Sequence, residues 1–109
     1  MIDRDKTHLD RMNVEVVFIK NAIAPHSFDT FIMDDILQRA VCMSLINIGE
    51  CASHLSLEFR NKHTELNWFQ IIGVRNIAAH GYWQLNMEQI WQEVTKDIPE
   101  LETFLNGLL

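Results

Sequence analysis

The chain has 109 residues and a formal net charge of −6, with 48 % hydrophobic and 22 % charged residues. This composition is that of an ordinary globular protein, and the length predicts one domain, 1–109, with a modest core. No run of 18 apolar residues is present, which predicts that the chain does not span a membrane. Because the charged N-terminal residues are not followed by the apolar segment of a signal peptide, we expect a cytoplasmic protein.

The charge is unevenly distributed along the chain. Residues 1–75 hold eight Lys and Arg against ten acidic residues, a balance of −2, and residues 76–109 hold one against five, a balance of −4. A surface that coats nucleic acid in general is therefore excluded, because non-specific affinity comes from neutralising phosphates. Any nucleic-acid site has to be local.

The first predicted element is a helix of about five turns over residues 5–23. Its apolar residues recur at intervals of three and four, which is the period of one helix face; they are Leu9, Met12, Val16, Ile19 and Ile23. Proline cannot continue a helix, so Pro25 is expected to end it. Ser27 is then a plausible N-cap for the next segment.

The stretch from Phe28 to Phe59 predicts a short helix near 28–33 and a long one through about 60, with or without a break between them. The apolar face of the long helix is Leu37, Val41, Leu45, Ile48, Cys51, Leu55 and Phe59. The small residues Ala40, Ser44 and Gly49 would let another helix approach closely. Cys42 and Cys51 are nine residues apart in one helix, a rise of about 13 Å, so they cannot form a disulfide and are predicted to be small buried hydrophobes.

Three further helical segments follow a polar connector. Asn67 is predicted to cap a helix that runs from Trp68 to about Ala79, and residues 81–85 are predicted to form a turn. Residues 86–96 form an amphipathic stretch, and Pro99 fits the first turn of a last helix. No segment alternates with the period of a strand. The sequence therefore predicts an all-α fold, an up-and-down bundle of four to five helices.

The segment from Arg75 to Tyr82 carries three chemically capable side chains. A guanidinium at the end of an apolar segment needs an anionic partner, and a histidine such as His80 exchanges protons near neutral pH. In a straight α-helix, Arg75 and His80 would point about 140° apart. They can share a substrate only if His80 lies at or beyond the helix end, or if two chains contribute. From spacing alone, a structural ion pair for Arg75 and a helix-terminal role for His80 are the simpler alternatives.

This segment resembles the Arg-x-x-x-x-His-x-Tyr signature of the HEPN superfamily, and in particular its HepT branch of toxin ribonucleases. Other parts of the chain are similar to the same family: residues 48–52, which read Ile-Gly-Glu-Cys-Ala; residues 68–76, which end in Val-Arg-Asn; and residues 91–101, which contain Asp-Ile-Pro-Glu-Leu. The resemblance therefore extends over most of the chain.

The resemblance implies a homodimer in which paired motifs line one cleft, and cleavage of RNA without a metal or other cofactor. The RNA 2′-hydroxyl would attack its own phosphate, with His80 as general base or acid and Arg75 holding the phosphate. Asn76 would add a hydrogen bond to the substrate, or else cap or pack. Glu50 would pair with Arg75, or else lie on the solvated face. Trp83 would stack on a base, or else anchor the core.

The resemblance also implies a partner, a nucleotidyltransferase antitoxin of the MntA type that silences the toxin by attaching AMP to Tyr82. Together these features describe a type VII toxin–antitoxin system. The alternative for Tyr82 is a partly buried tyrosine whose hydroxyl bonds the backbone. The competing function is a non-catalytic helical subunit that binds the nucleotidyltransferase, which the acidic balance favours. No metal site is predicted, since Glu50 and His54 are too few ligands.

Overall fold

A computed structural model describes residues 3–77 and 84–108 of the chain. Regular structure in these two ranges is helical throughout, which confirms the predicted all-α fold. The elements are α1 Asp3–Ile23, α2 Phe28–Ile32, α3 Asp35–Ser53, α4 Leu57–Lys62, α5 Trp68–Gly73, a 3₁₀ turn Val74–Asn76, α6 Met87–Gln92, a π-helical turn Glu93–Asp97 and α7 Ile98–Leu108. None of the helices in these ranges is long and apolar enough to cross a membrane.

The core forms where α1, α3 and α7 pack together, with α5 against α3 and α2 against α3 and α6. The stripe predicted on α1 is confirmed, because Leu9, Met12, Val16 and Ile19 are fully buried. The apolar face predicted for α3 is also confirmed; its buried members are Leu37, Val41, Leu45 and Ile48, and Leu55 and Phe59 beyond the helix are buried with them. Periodicity therefore identified the packing faces correctly.

Local capping also follows the sequence. The Ser27 side chain accepts a hydrogen bond from the Thr30 N–H and forms a capping box that begins α2. Asn67 Oδ1 accepts from the Gln70 N–H at 3.0 Å and begins α5, as predicted. Between α2 and α3, the Gln38 side-chain amide donates to the carbonyls of Phe31 and Ile32 at 2.9 Å each, which satisfies the end of α2.

The predicted long helix through about residue 60 is wrong, because α3 ends at Ser53 and α4 begins at Leu57. The cause is a contact with Asp5 in the first turn of α1. The Ser56 N–H and hydroxyl each donate to the Asp5 carboxylate at 2.7 Å, and the Ser56 Oγ in turn caps α4 by accepting from the Phe59 N–H. A serine bonded in this way has extended backbone and cannot continue α3.

The last two predicted segments form one continuous helical segment over residues 87–108. Pro99 is the second residue of α7, in its first turn as predicted, and the π-helical turn directly precedes that helix. In a regular α-helix, a proline ring clashes with the carbonyl four residues earlier and donates no hydrogen bond. The irregular turn therefore lies where regular geometry is hardest to keep.

Candidate functional site

Arg75 lies in the 3₁₀ turn that follows α5. The predicted helix from Trp68 is interrupted, since α5 ends at Gly73, the 3₁₀ turn follows and Ile77 is again helical. The predicted end near Ala79 lies outside the described ranges, which omit residues 78–83. Gly73 and Ile77, on either side of the turn, keep right-handed helical backbone. The 140° separation of Arg75 and His80 was calculated for a straight α-helix, and the 3₁₀ turn that includes Arg75 departs from that geometry.

Gly49 of α3 fixes the position of the Arg75 backbone. A Cβ atom at Gly49 would lie 2.9 Å from the Arg75 nitrogen, 3.1 Å from the Arg75 Cβ and 3.2 Å from the carbonyl oxygen of Ile71. No larger side chain fits there without displacing backbone. The predicted close approach at a small residue is confirmed for Gly49, and the element that approaches is the turn bearing the arginine.

The guanidinium of Arg75 is paired with the neighbouring residue on α3. Its Nη1 lies 3.7 Å from Oε1 of Glu50, and the two side chains remain 43 % and 52 % exposed. Both alternatives stated for Glu50 hold at once, since it pairs with Arg75 and faces solvent. A long, solvated ion pair contributes little to stability, so an incoming anion can compete for the guanidinium.

A groove of about 270 Å³ lies beside this turn, between it and α6, and we call it the motif groove. Its lining residues come from α5, the 3₁₀ turn, α6 and the residues next to them; they are Gln70, Gly73, Val74, Asn76, Ile77, Leu85, Asn86, Gln89, Ile90 and Glu93. The structure places Asn76 there as an exposed side chain. His80, Tyr82 and Trp83 lie outside the described residues. The lining residues Ile77 and Leu85 flank, in the sequence, the segment that contains these three residues.

A second groove, of about 340 Å³, lies on the other side of Glu50 between α1 and α3. It is lined by Arg11, Val14, Glu15, Asn47, Glu50 and Cys51. Exposed apolar side chains lie along the same two helices, with Val14 67 %, Met43 57 % and Phe18 46 % exposed.

The cysteines do not have the properties of nucleophiles. Burial raises the pKa of the Cys42 thiol to about 11, and burial also raises the pKa of Cys51. A thiol with a raised pKa holds little of the reactive thiolate. The prediction of a small buried hydrophobe is confirmed for Cys42, while Cys51 is half-buried.

Glu93 is a residue that the sequence analysis did not single out. Burial, together with the nearby Asp97 carboxylate, raises the pKa of Glu93 from 4.5 to about 7. No signal in the sequence distinguishes Glu93 from the other acidic residues of an amphipathic helix. Within residues 3–77 and 84–108, no three His, Cys, Asp or Glu side chains are grouped so that they could hold a metal ion.

Comparison with known proteins assigns the chain to a class. The family model described as "Ribonuclease HepT-like" matches residues 12–108. The chain therefore belongs to the HepT-like ribonuclease family of the HEPN superfamily, as the motif and its flanking segments predicted.

Individual relatives are similar over nearly their whole length. The chain is 36 % identical to "Putative RNase TTE0752" of Caldanaerobacter subterraneus subsp. tengcongensis, covering 95 % of this chain and 93 % of that protein. It is 28 % identical to "Putative RNase MJ1380" of Methanocaldococcus jannaschii, with coverages of 86 % and 83 %. It is 27 % identical to "Probable ribonuclease HepT" of Thermococcus cleftensis, with coverages of 89 % and 88 %. No solved structure matches the chain.

Proposed function

We propose that the chain is a metal-independent endoribonuclease, the toxin of a type VII toxin–antitoxin system, which acts through Arg75 and His80. Family membership and the RNase names of its relatives support ribonuclease activity. The observation that carries the site assignment is the anchoring of Arg75. Its backbone is held against Gly49 while its guanidinium stays partly solvated and only weakly paired. This combination suits a side chain that has to be positioned yet free to bind.

The role of Arg75 is to bind the phosphodiester that is cleaved. A guanidinium presents parallel N–H donors that match two phosphate oxygens, and such charge-assisted pairs are stronger than neutral hydrogen bonds. On binding, the phosphate displaces Glu50 as the partner of Arg75. The same contact stabilises the negative charge that grows on the phosphoryl oxygens in the transition state.

The reaction needs no nucleophile from the protein. The 2′-hydroxyl of the RNA attacks the adjacent phosphorus, its proton passes to a base, and the P–O5′ bond breaks as the departing 5′-oxygen takes up a proton. The products are a 2′,3′-cyclic phosphate and a 5′-hydroxyl. His80 serves one of the two proton transfers, a contribution of about 10²–10⁴ in rate. DNA lacks the 2′-hydroxyl and stays uncleaved. Asn76 and Trp83 assist by contacting the substrate.

The active species in this proposal is a symmetric homodimer. The exposed apolar side chain of Val14 on α1 lines the same groove as Glu50, which contacts Arg75, so a dimer formed through this face brings two motifs near one another. In a dimer with a two-fold axis, the same surface patch of each protomer forms one half of the interface. Two arginines then supply the local positive charge that a chain of net charge −6 otherwise lacks.

Purified protein and a single-stranded RNA test the site assignment. Arg75→Ala and His80→Ala are each expected to lower kcat/KM by roughly 10²-fold or more, with unchanged helical circular dichroism. Lys62→Ala, which removes an exposed cation at the end of α4, is the matched control and is expected to cleave normally. If the wild-type chain binds the nucleotidyltransferase but cleaves no RNA, the chain is the non-catalytic binding subunit instead.

Regulation is proposed to act through Tyr82. A partner nucleotidyltransferase transfers AMP from ATP to the Tyr82 hydroxyl and releases pyrophosphate, and the added phosphate competes with RNA for Arg75. Intact-mass spectrometry after co-expression is expected to show additions in steps of one AMP, absent from Tyr82→Phe. An unmodified but still inhibited protein would mean that the partner acts by covering the cleft, and Tyr82 would then be structural.

A further inference from the structure

A separate cavity of about 250 Å³ lies between α3, α5 and α7, and we call it the α3–α5–α7 cavity. Its walls are apolar, and they include Leu45, Ile48, Leu66, Ile71, Ile98 and Leu101. At about 30 Å³ per water molecule, the space corresponds to roughly eight waters. That is room for a compact organic molecule held between helices, and too little for a folded partner element.

Four of the six polar residues around this cavity are acidic. Glu65, Glu93, Asp97 and Glu100 supply four carboxyl groups, and two side-chain amides, those of Asn67 and Gln70, lie beside them. No lysine, arginine or histidine is among the lining residues that the structure describes. Apolar walls with carboxylates at the edge are complementary to a cation that carries a hydrocarbon chain.

Glu93 is the carboxyl group that most needs a partner. Its Oε2 atom is buried and, among the described residues, no group forms a hydrogen bond to it. A buried polar atom without a partner costs free energy, typically about 1–3 kcal/mol, so such atoms in folded proteins call for a specific explanation. Glu93 lies in the π-helical turn, and turns of this kind occur frequently at functional sites.

We propose that the α3–α5–α7 cavity binds a small aliphatic cation, an ammonium or guanidinium group on a short carbon chain. The cationic group donates hydrogen bonds to the Glu93 carboxylate, and the chain lies against the apolar walls. This site goes beyond the ribonuclease activity and does not depend on it. It adjoins the motif groove, however, because Gln70, Val74 and Glu93 line both spaces.

The affinity should depend on pH in a defined direction. Asp97 in its own turn and the thiol of Cys42 on α3 act on Glu93 electrostatically. Glu65 and Glu100 line the same cavity, as do the neutral Gln70 of α5 and Val74 of the 3₁₀ turn. Because the pKa of Glu93 is about 7, its carboxylate form is a minor species at pH 6 and the major one at pH 8. A cation that binds this form binds roughly tenfold more tightly at pH 8 than at pH 6.

Titration of the full chain with n-butylguanidinium, followed by nuclear magnetic resonance, tests the proposal. The neutral and nearly isosteric n-butylurea is the ligand control. Saturable shifts at Gln70, Val74 and Glu93 are expected with the cation, with at least tenfold weaker binding of the urea. Glu93→Gln is expected to lose at least tenfold in affinity, whereas Glu58→Gln, which alters an exposed carboxylate on α4, is expected to bind normally.

The proposal is overturned if butylurea binds as well as butylguanidinium, if no saturable shifts occur, or if Glu93→Gln keeps its affinity. The comparison of the two ligands on the wild-type chain keeps the test decisive even if the variant does not fold. A blocked Leu-Arg-Leu tripeptide provides a third arm. If the tripeptide binds and butylguanidinium does not, the proposal of a free small-molecule ligand is also overturned. That result would indicate that the cavity takes an arginine side chain from a protein partner.

Discussion

Two carboxyl groups, the buried Asp5 and the half-buried Glu93, have opposite surroundings. Asp5 is 2 % exposed, and its two oxygens accept short hydrogen bonds from the N–H and the hydroxyl of Ser56. Glu93 has a buried oxygen with no partner among the described residues, and Asp97 lies close enough to raise its pKa further. The Asp5 carboxylate links α1 to the residue that begins α4. Glu93 lines both the α3–α5–α7 cavity and the motif groove.

The difference separates a supporting region from a binding region. Around Asp5, the Arg4 guanidinium also donates to the carbonyl of His54 at 3.0 and 2.9 Å, so the first turn of α1 holds the turn between α3 and α4. The Asp5 carboxylate and the His54 carbonyl have their partners within the protein, although Nδ1 of the neighbouring His8 has none among the described residues. Around Glu93, a carboxyl oxygen without a partner belongs to a residue that lines a cavity. Satisfied polar networks stabilise a fold, and a carboxyl group with a perturbed pKa beside a cavity is a candidate for a binding site.

Removal of the Asp5 carboxylate should have the largest effect on stability. Asp5→Ala leaves two partly buried donors of Ser56 unpaired, and we expect a loss of about 3 kcal/mol in the free energy of unfolding. Urea denaturation measures it. Asp10→Ala, which removes only an exposed ion pair with Lys6, is the control and should cost less than about 0.5 kcal/mol. Equal losses for the two variants would show that the hydrogen bonds of Asp5 contribute no more to stability than an exposed ion pair does.

Gly49 lies between the two regions, and substitution there should have an intermediate effect. Gly49→Ala forces the Arg75 backbone away from α3, with an expected cost of roughly 1–3 kcal/mol and a matching drop in RNA cleavage. Gly107→Ala on α7 meets only open space and should be neutral or stabilising, by up to about 1 kcal/mol. An active, fully stable Gly49→Ala protein would show that Arg75 needs no support from α3.

The effect of Glu93 on stability should be visible as a dependence on pH. Its pKa is about 7 in the folded chain and near 4.5 when unperturbed, so between these values the folded state holds a proton that the unfolded state releases. The contribution of Glu93 therefore favours folding at low pH and is lost as the pH rises from about 4.5 to 7.

Urea denaturation between pH 5 and pH 8 tests this direction. Glu93 should make the free energy of unfolding of the wild-type chain decline as the pH rises. Glu93→Gln should lack this part of the decline. His8, whose pKa is lowered by burial and by neighbouring cations, contributes the opposite trend in both proteins, so the difference between them isolates Glu93. Parallel pH profiles for variant and wild type would contradict the raised pKa.

Sequence reasoning succeeded where the determinants are local. The buried stripe on α1 follows from helical period, and the caps Ser27 and Asn67 act within three residues of themselves. The end of α3 escaped prediction because Asp5 and Ser56 are 51 positions apart. Chemistry offered Glu50 as a partner of Arg75 only as one of two alternatives, and the 3.7 Å spacing depends on how the turn packs against Gly49. Glu93 was missed because nothing local marks a carboxyl group as unpartnered.

The measurement that tests the central claim most directly is the analysis of RNA ends after cleavage in excess EDTA. Cleavage by the 2′-hydroxyl route through Arg75 and His80 is expected to continue and to leave 2′,3′-cyclic phosphate and 5′-hydroxyl ends. A single 2′-deoxy nucleotide at the cut site should block it. Cleavage that stops in EDTA and returns with added Mg²⁺ or Mn²⁺, or that leaves 5′-phosphate ends, would contradict the account.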